Sequence, residues 1–188
     1  MRLVVISDTH SLHNSIAGLP EGDVLVHAGD FMNSGYDVQD ILSFNRWLGD
    51  QPFKHCVVCA GNHDRYFEAA SQQARTLLTN AIYLENTGVS LDNITFWGLP
   101  YTPEFLSWAF MYPRGSSSQR YWDLIPDNLD VLITHGPPFG ILDQTAPGKH
   151  TWVVKNCATR SNERNPGSIS SAISTGAPAH LRTEPLAL

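Results

Sequence analysis

Four apolar runs, each closed by residues able to ligate a metal, constrain this chain more than any other feature. Leu3-Val4-Val5-Ile6 leads into Asp8-Thr9-His10, and Val24-Leu25-Val26-His27 into Ala28-Gly29-Asp30. Cys56-Val57-Val58-Cys59 leads into Ala60-Gly61-Asn62-His63-Asp64, and Val131-Leu132-Ile133-Thr134 into His135-Gly136-Pro137-Pro138. Apolar runs of this length, bounded by turn formers, read as buried strands. Between the second and third, Ile41, Leu42, Phe44, Trp47 and Leu48 recur at helical spacing. Asp37 is a candidate N-cap for that helix, and Gly49 and Pro52 close it. Strand, helix, strand is the rhythm of an α/β fold with a parallel sheet. In open sheets of that class, ligands bind beyond the carboxyl ends of the strands. Asp8, His10, Asp30, Asn62, His63 and His135 are therefore expected to pool at one edge.

With 188 residues the chain is long enough for one domain with a sizeable core. Its 42% hydrophobic and 16% charged residues fit a soluble globular protein. No apolar run reaches membrane-spanning length, and no signal-peptide pattern opens the chain, so a cytoplasmic protein with no membrane partner is expected. The net charge of −6 argues against a surface that coats nucleic acid. A phosphate-bearing substrate stays compatible with it, because bound cations set the charge of a site. Cys56 and Cys59 have CxxC spacing, but residues three apart on a strand face opposite sides. Buried small side chains are expected there rather than a redox or zinc pair. Neither the substrate nor the oligomeric state follows from these features.

Downstream, a second helix is expected over 68–78. Short strands at 82–84, 89–91 and 94–97 read as an antiparallel meander, split by turns at Asn86-Thr87-Gly88 and Asp92-Asn93. Pro100-Tyr101-Thr102-Pro103 reads as a rigid loop. The aromatic cluster of Phe105, Trp108, Phe110 and Tyr112 reads as core or lid, with a substrate-stacking surface as the alternative. A short helix at 117–124 precedes the last strand. His27 reads as core, and His13 and His55 as surface or supporting residues. From Thr151 onward the chain is rich in Ser, Thr, Ala, Asn, Arg and Pro and lacks a hydrophobic period. Residues 1–150 are thus read as the domain and 151–188 as an irregular tail.

The candidate ligands are carboxylates, imidazoles and one amide, without a thiolate, which suits Mn, Fe, Zn or Mg. Two such ions about 3.5–4 Å apart can clamp a phosphoryl group. Asp30 is the best candidate to bridge them, and the Asn62 carbonyl oxygen is a hard ligand for one. His63, next to Asn62, is placed to touch substrate and protonate a leaving oxygen. Asp64 is expected to hold the His63 ring through its other nitrogen. Taken singly, Asp30 and Asn62 also fit plain turn formers after glycine.

Asp8-x-His10, Gly29-Asp30, Gly61-Asn62-His63-Asp64 and His135-Gly136, in that order, resemble the signature blocks of calcineurin-like metallophosphoesterases. The resemblance is strongest to the small single-domain branch and covers the first 150 residues or so. It implies an αββα sandwich of two facing sheets with two divalent metal ions at one edge. It implies that Asp8 and His10 bind the first ion, that Asp30 bridges, that Asn62 and His135 bind the second, and that His63 is the acid. The implied reaction is hydrolysis of a phosphomonoester or phosphodiester, with a small phosphate ester as the partner. A different metal hydrolase, acting on amides or esters, is disfavoured because no HExxH-type spacing occurs.

The family also has a Gly-His-x-His block whose histidines complete both metal shells, and this chain lacks it. Only His150 and His180 follow His135, and neither lies in that context. A protein of this fold without those imidazoles would be an inactive binding module, the competing function. The tail itself suggests a cause. In the alternative frame each codon takes the third base of one residue and the first two of the next. Ser171-Ala172 permits GGC, Ala172-Ile173 CAT, Ile173-Ser174 ATC and Ser174-Thr175 CAC, which spell Gly-His-Ile-His. Carried back to Thr151, that frame permits VGCEELRDAVERTQPRLHLFGHIH without a stop. A frameshifted tail, and a C-terminally incomplete sandwich, is the reading adopted. The coding DNA is expected to show a frame anomaly near codon 151 when set beside close relatives; an intact frame shared by them would sink this reading.

Overall fold

The computed structural model describes residues 1–33, 35–114 and 119–136 and the backbone of 182–185. β1 (Arg2–Ile6), β2 (Val24–His27), β3 (His55–Cys59) and β4 (Ile82–Leu84) lie parallel in chain order in one sheet. Their continuous apolar sequences follow from burial on both faces. Alternate residues serve the two sides. Val4, Ile6, Leu25, Cys56 and Val58 meet the helices α1 (Val38–Gly49), α2 (Arg65–Ala69) and α3 (Ser71–Leu77). Leu3, Val24, Val26, Val57 and Cys59 face a second sheet. Cys56 and Cys59 are both buried and unpaired on opposite faces, as the strand period requires.

The second sheet is built from β5 (Thr87–Leu91) and β6 (Ile94–Leu99), an antiparallel hairpin turning at Asp92-Asn93. β7 (Thr102–Pro103) and β8 (Met111–Tyr112) form a small parallel pair beyond it. α4 (Gln119–Trp122) buries Trp122 against Leu99, Tyr112 and Leu132. β9 (Val131–Thr134) then lies parallel to β6. The layers are therefore helices, sheet, sheet and helix, the expected sandwich. Among the described residues no helix is long and apolar enough to cross a membrane.

Several local expectations change. The meander is not formed, because β4 pairs parallel with β3 and only β5 and β6 make a hairpin. The helix expected over 68–78 is two helices, broken at Ala70, where φ −142° and ψ 50° leave the helical region. The segment read as a rigid loop pairs with 111–112, since Thr102 N–H donates to the Phe110 carbonyl and Glu104 N–H to the Tyr112 carbonyl, each at 2.8 Å. His13 is fully buried, not a surface residue. Its 3₁₀ turn points it into α1, with Nε2 3.0 Å from Ser43 Oγ and its ring 5.4 Å from that of Phe44. His55 is half-buried at the start of β3. In the tail read as irregular, β10 (Arg182–Pro185) is a regular strand, antiparallel to β1. An edge strand presents unpaired N–H and C=O groups that recruit such a partner. His150 and His180 lie outside the described residues.

α1 forms as read: Asp37 accepts the Gln39 N–H at 2.8 Å, and Ile41, Phe44, Trp47 and Leu48 are buried. Phe44 packs edge-on against His27, which is wholly buried. His27 Nδ1 accepts the Gly29 N–H at 3.3 Å, leaving Nε2 to donate to Thr9 Oγ1 at 3.0 Å. Burial pushes its pKa from 6.5 down to about 3. The unfolded chain therefore binds a proton that the folded chain does not. Stability from this group is complete above pH 6.5 and is lost as pH falls toward 3. The loss is about 1.4 kcal/mol per pH unit. Urea unfolding between about pH 7.5 and 5 should show this decline before carboxylates titrate, and His27→Gln should flatten it; an unchanged slope would refute the assignment.

Candidate metal centre

The site lies where the ends of β1, β2, β3 and β9 meet. The loops after β1 and β2 run in step past the strands. Asp8, His10 and Ser11 N–H groups donate to the carbonyls of Gly29, Asp30 and Phe31, each at 2.9 Å. The same ladder bends the chain sharply, placing Asp8, His10, Ser11 and Asp30 at φ of 55°, 41°, 62° and 59°. Non-glycine residues there are uncommon and persist where the surroundings impose them, often at functional sites. Two glycines let the loops close. A Cβ on Gly29, at φ 107°, would strike the His135 ring and the Gly61 backbone. One on Gly61 would strike the Asp30 side chain and backbone.

Asp30 is the centre. Its Oδ2 lies 3.3 Å from His135 Nε2 and 3.8 Å from His10 Nε2. His10 Nε2 is also 3.9 Å from Asp8 Oδ1, and His135 Nε2 is 2.9 Å from Asn62 Oδ1. Two triads of ligand atoms, His10–Asp30–His63 and Asp8–Asp30–His135, each lie within 4.8 Å and share Asp30. All six residues expected at one edge are thus together. The triads set Asp8 with His135 and His10 with His63, while His10 Nε2 also stands within 3.9 Å of Asp8 Oδ1.

The electrostatics turn on Asp30 and His135. Burial alone would raise the Asp30 carboxyl, but the His135 ring outweighs it and holds the group at about 2. Burial would lower His135, and the Asp30 and Asp8 carboxylates outweigh that, lifting it to about 10. His135 Nδ1 lies 3.0 Å from the Ala28 carbonyl, so both ring nitrogens face oxygens that only accept. Either the ring carries two protons, or Nε2, Asn62 Oδ1 and Asp30 Oδ2 would together hold a cation while Nδ1–H donates to Ala28. A carbonyl partner of that kind is the usual support of a ligating histidine. Oxygen and imidazole donors converging this way fit a divalent ion.

His63 is held from three sides. Its backbone N–H donates to Asp30 Oδ1 at 2.8 Å, and its ring Nδ1 donates to the Asn33 carbonyl at 2.7 Å. Trp108 stacks on the ring at 4.1 Å, with the Arg65 guanidinium 4.8 Å from the Trp108 ring. The loop carrying Trp108 is fastened to the same turn. Ala109 N–H donates to the Asn62 carbonyl at 3.1 Å, and Phe110 N–H to Glu68 Oε1 at 2.7 Å. The aromatic cluster therefore divides: Trp108 faces His63, Phe110 and Tyr112 are buried, and Phe105 is exposed. The expected bond from Asp64 to the His63 ring is not made. Asp64 is fully buried and accepts backbone N–H groups instead, from Asp30 at 2.9 Å, Gly61 at 2.7 Å and Met32 at 2.9 Å. Burial first, then the Asp30 charge, lifts its carboxyl to about 8. The Asn33 and Ala28 carbonyls had no sequence signal, because any residue supplies a carbonyl.

A family model described as calcineurin-like phosphoesterase matches residues 1–158. The human metallophosphoesterase domain-containing protein 1 is 39% identical over 177 residues, covering 82% of this chain and 51% of that protein. The Caenorhabditis elegans UPF0046 protein K07C11.7 is 38% identical over 167 residues, covering 81% of this chain and 56% of that protein. The chain spans about half the length of these relatives. A 5′-nucleotidase precursor from Thermus thermophilus aligns at a TM-score of 0.41 with 14% identity, over 72% of this chain and 37% of that one.

If Asp30 serves both triads, Asp30→Asn should abolish retention of Mn by dialysed protein, while Asp8→Asn should lose about half of it. Metal analysis of both variants decides; equal losses would remove the bridge.

Proposed function

Because the chain belongs to the calcineurin-like phosphoesterase family, we propose that it is built to hydrolyse phosphomonoesters or phosphodiesters with two divalent ions, Mn, Fe, Zn or Mg. The observation that carries this reading is Asp30, present in both ligand triads. Asp8, His10, Asp30, Asn62 and His135 would hold the ions, with Asp30 shared, and His63, which stands beside His10 and Asp30, would be left to the substrate. Such ions polarise phosphoryl oxygens and lower the pKa of water. His63 is the acid. Its Nδ1–H is committed to the Asn33 carbonyl, so Nε2 is the position from which a proton reaches the leaving oxygen. Trp108 and the Asn33 carbonyl keep that ring turned toward the substrate. The partner is a small phosphate ester.

The chain as written works poorly on this reading. It has no Gly-His-x-His block, so each ion lacks an imidazole that the family pattern supplies. An inactive module of the same fold is the second reading, favoured by that missing block.

Release of p-nitrophenol from mono- and bis-p-nitrophenyl phosphate separates them. The chain as written should show little or no Mn-dependent hydrolysis. A chain with VGCEELRDAVERTQPRLHLFGHIH after residue 150 should hydrolyse, and chelation should stop it. In that chain His63→Ala should lower turnover ~10²–10⁴-fold with metal content intact. No hydrolysis by the restored chain would end the phosphoesterase reading. Full activity of the chain as written would end the claim of impairment.

A further inference from the structure

We propose that Asp64 is the positioning residue of the metal pair: it fixes the bridging Asp30 through backbone N–H groups and touches no ion itself. The inference rests on the two-ion reading above. Asp64 Oδ2 accepts two N–H groups, from Asp30 at 2.9 Å and from Gly61 at 2.7 Å. Its Oδ1 accepts a third, from Met32 at 2.9 Å. One carboxyl group thus ties the loop after β2 to the loop after β3. Those loops carry Asp30 on one side and Asn62 and His63 on the other.

The tie matters because Asp30 sits at φ 59°, where its backbone is strained, and its N–H has no strand partner there. Without an acceptor behind it, that N–H would be buried and unpaired, at a cost of roughly 1–3 kcal/mol. The Gly61 N–H is in the same position, one residue before Asn62. The Asp30 carboxylate then closes the loop from the other side, since its Oδ1 accepts the His63 N–H at 2.8 Å. Asp64 and Asp30 therefore clamp the two loops reciprocally, one carboxyl group buried behind the turn and the other on the side where the ions would sit. An amide cannot replace Asp64. Its NH₂ would face an N–H donor at one of the two oxygen positions, and at least one bond would become a donor–donor contact.

The experiment is a Mn²⁺ titration of the full chain, followed by the paramagnetic signal of free Mn²⁺. Asp64→Asn should weaken Mn²⁺ binding about 10–100-fold, the usual effect of removing a support behind a ligand. Val58→Ala, fully buried in β3 and outside both loops, is the stability control. It should melt at lower temperature yet keep its Mn²⁺ affinity. Loss of affinity in Val58→Ala as large as in Asp64→Asn makes Asp64 a merely structural residue and overturns the proposal. Unchanged affinity in Asp64→Asn also overturns it, with the two-ion reading left standing. No Mn²⁺ uptake by either the unmodified chain or the chain restored with VGCEELRDAVERTQPRLHLFGHIH fails the two-ion reading and takes this proposal with it; where only the restored chain takes up Mn²⁺, the same variants are compared in it. Should Asp64→Asn not fold, amide hydrogen exchange in the unmodified chain decides. The Asp30, Met32 and Gly61 amides should be protected, and Mn²⁺ should slow them further; fast exchange at these amides, or exchange that ignores Mn²⁺, overturns the proposal.

Discussion

A buried carboxylate must be compensated, and Asp30 is one, set where two sheets meet. Its oxygens have the His63 N–H and the imidazoles of His135 and His10 around them, with a second carboxylate, Asp8, in the same cluster. Two acids and three imidazoles in so small a volume are stable only when positive charge stands among them. A proton on His135, whose pKa the carboxylates lift to about 10, supplies part of it, and divalent ions would supply it more fully. The parallel strands, the left-handed loops and the two glycines are the means of bringing these groups together.

The cost of that convergence is spread over the backbone. Asp8, His10, Ser11 and Asp30 each occupy a left-handed conformation. Such residues cost of order 1–3 kcal/mol each when non-glycine. The ladder between the two loops and the packing of both strand faces outweigh this. The centre is therefore rigid because its surroundings over-determine it, not because its own residues favour the shape.

What the sequence made legible was whatever depends on burial and capping. β1, β2, β3 and β9 were readable because strands covered on both faces are continuously apolar, and α1 because Asp37 caps a clear helical period. The six site residues were readable because they close those strands. β4 reads into the meander with β5 and β6 rather than beside β3, since Ile82-Tyr83-Leu84 satisfies either sheet. The break at Ala70 gave no signal, because alanine is a good helix former. The partners of Asp64 and of the His63 ring escaped for a different reason. They are backbone N–H and carbonyl groups, set by loop shape rather than by residue type.

His135 reaches the site from the second sheet and meets the Ala28 carbonyl across 107 residues of chain. During synthesis, β1, β2 and β3 leave the ribosome long before β9. The first three loops can align early, but the Asp8–Asp30–His135 triad exists only after the second sheet has packed onto the first. An ion held by that triad would therefore be captured late in biogenesis, and its capture would report that the two sheets have found each other.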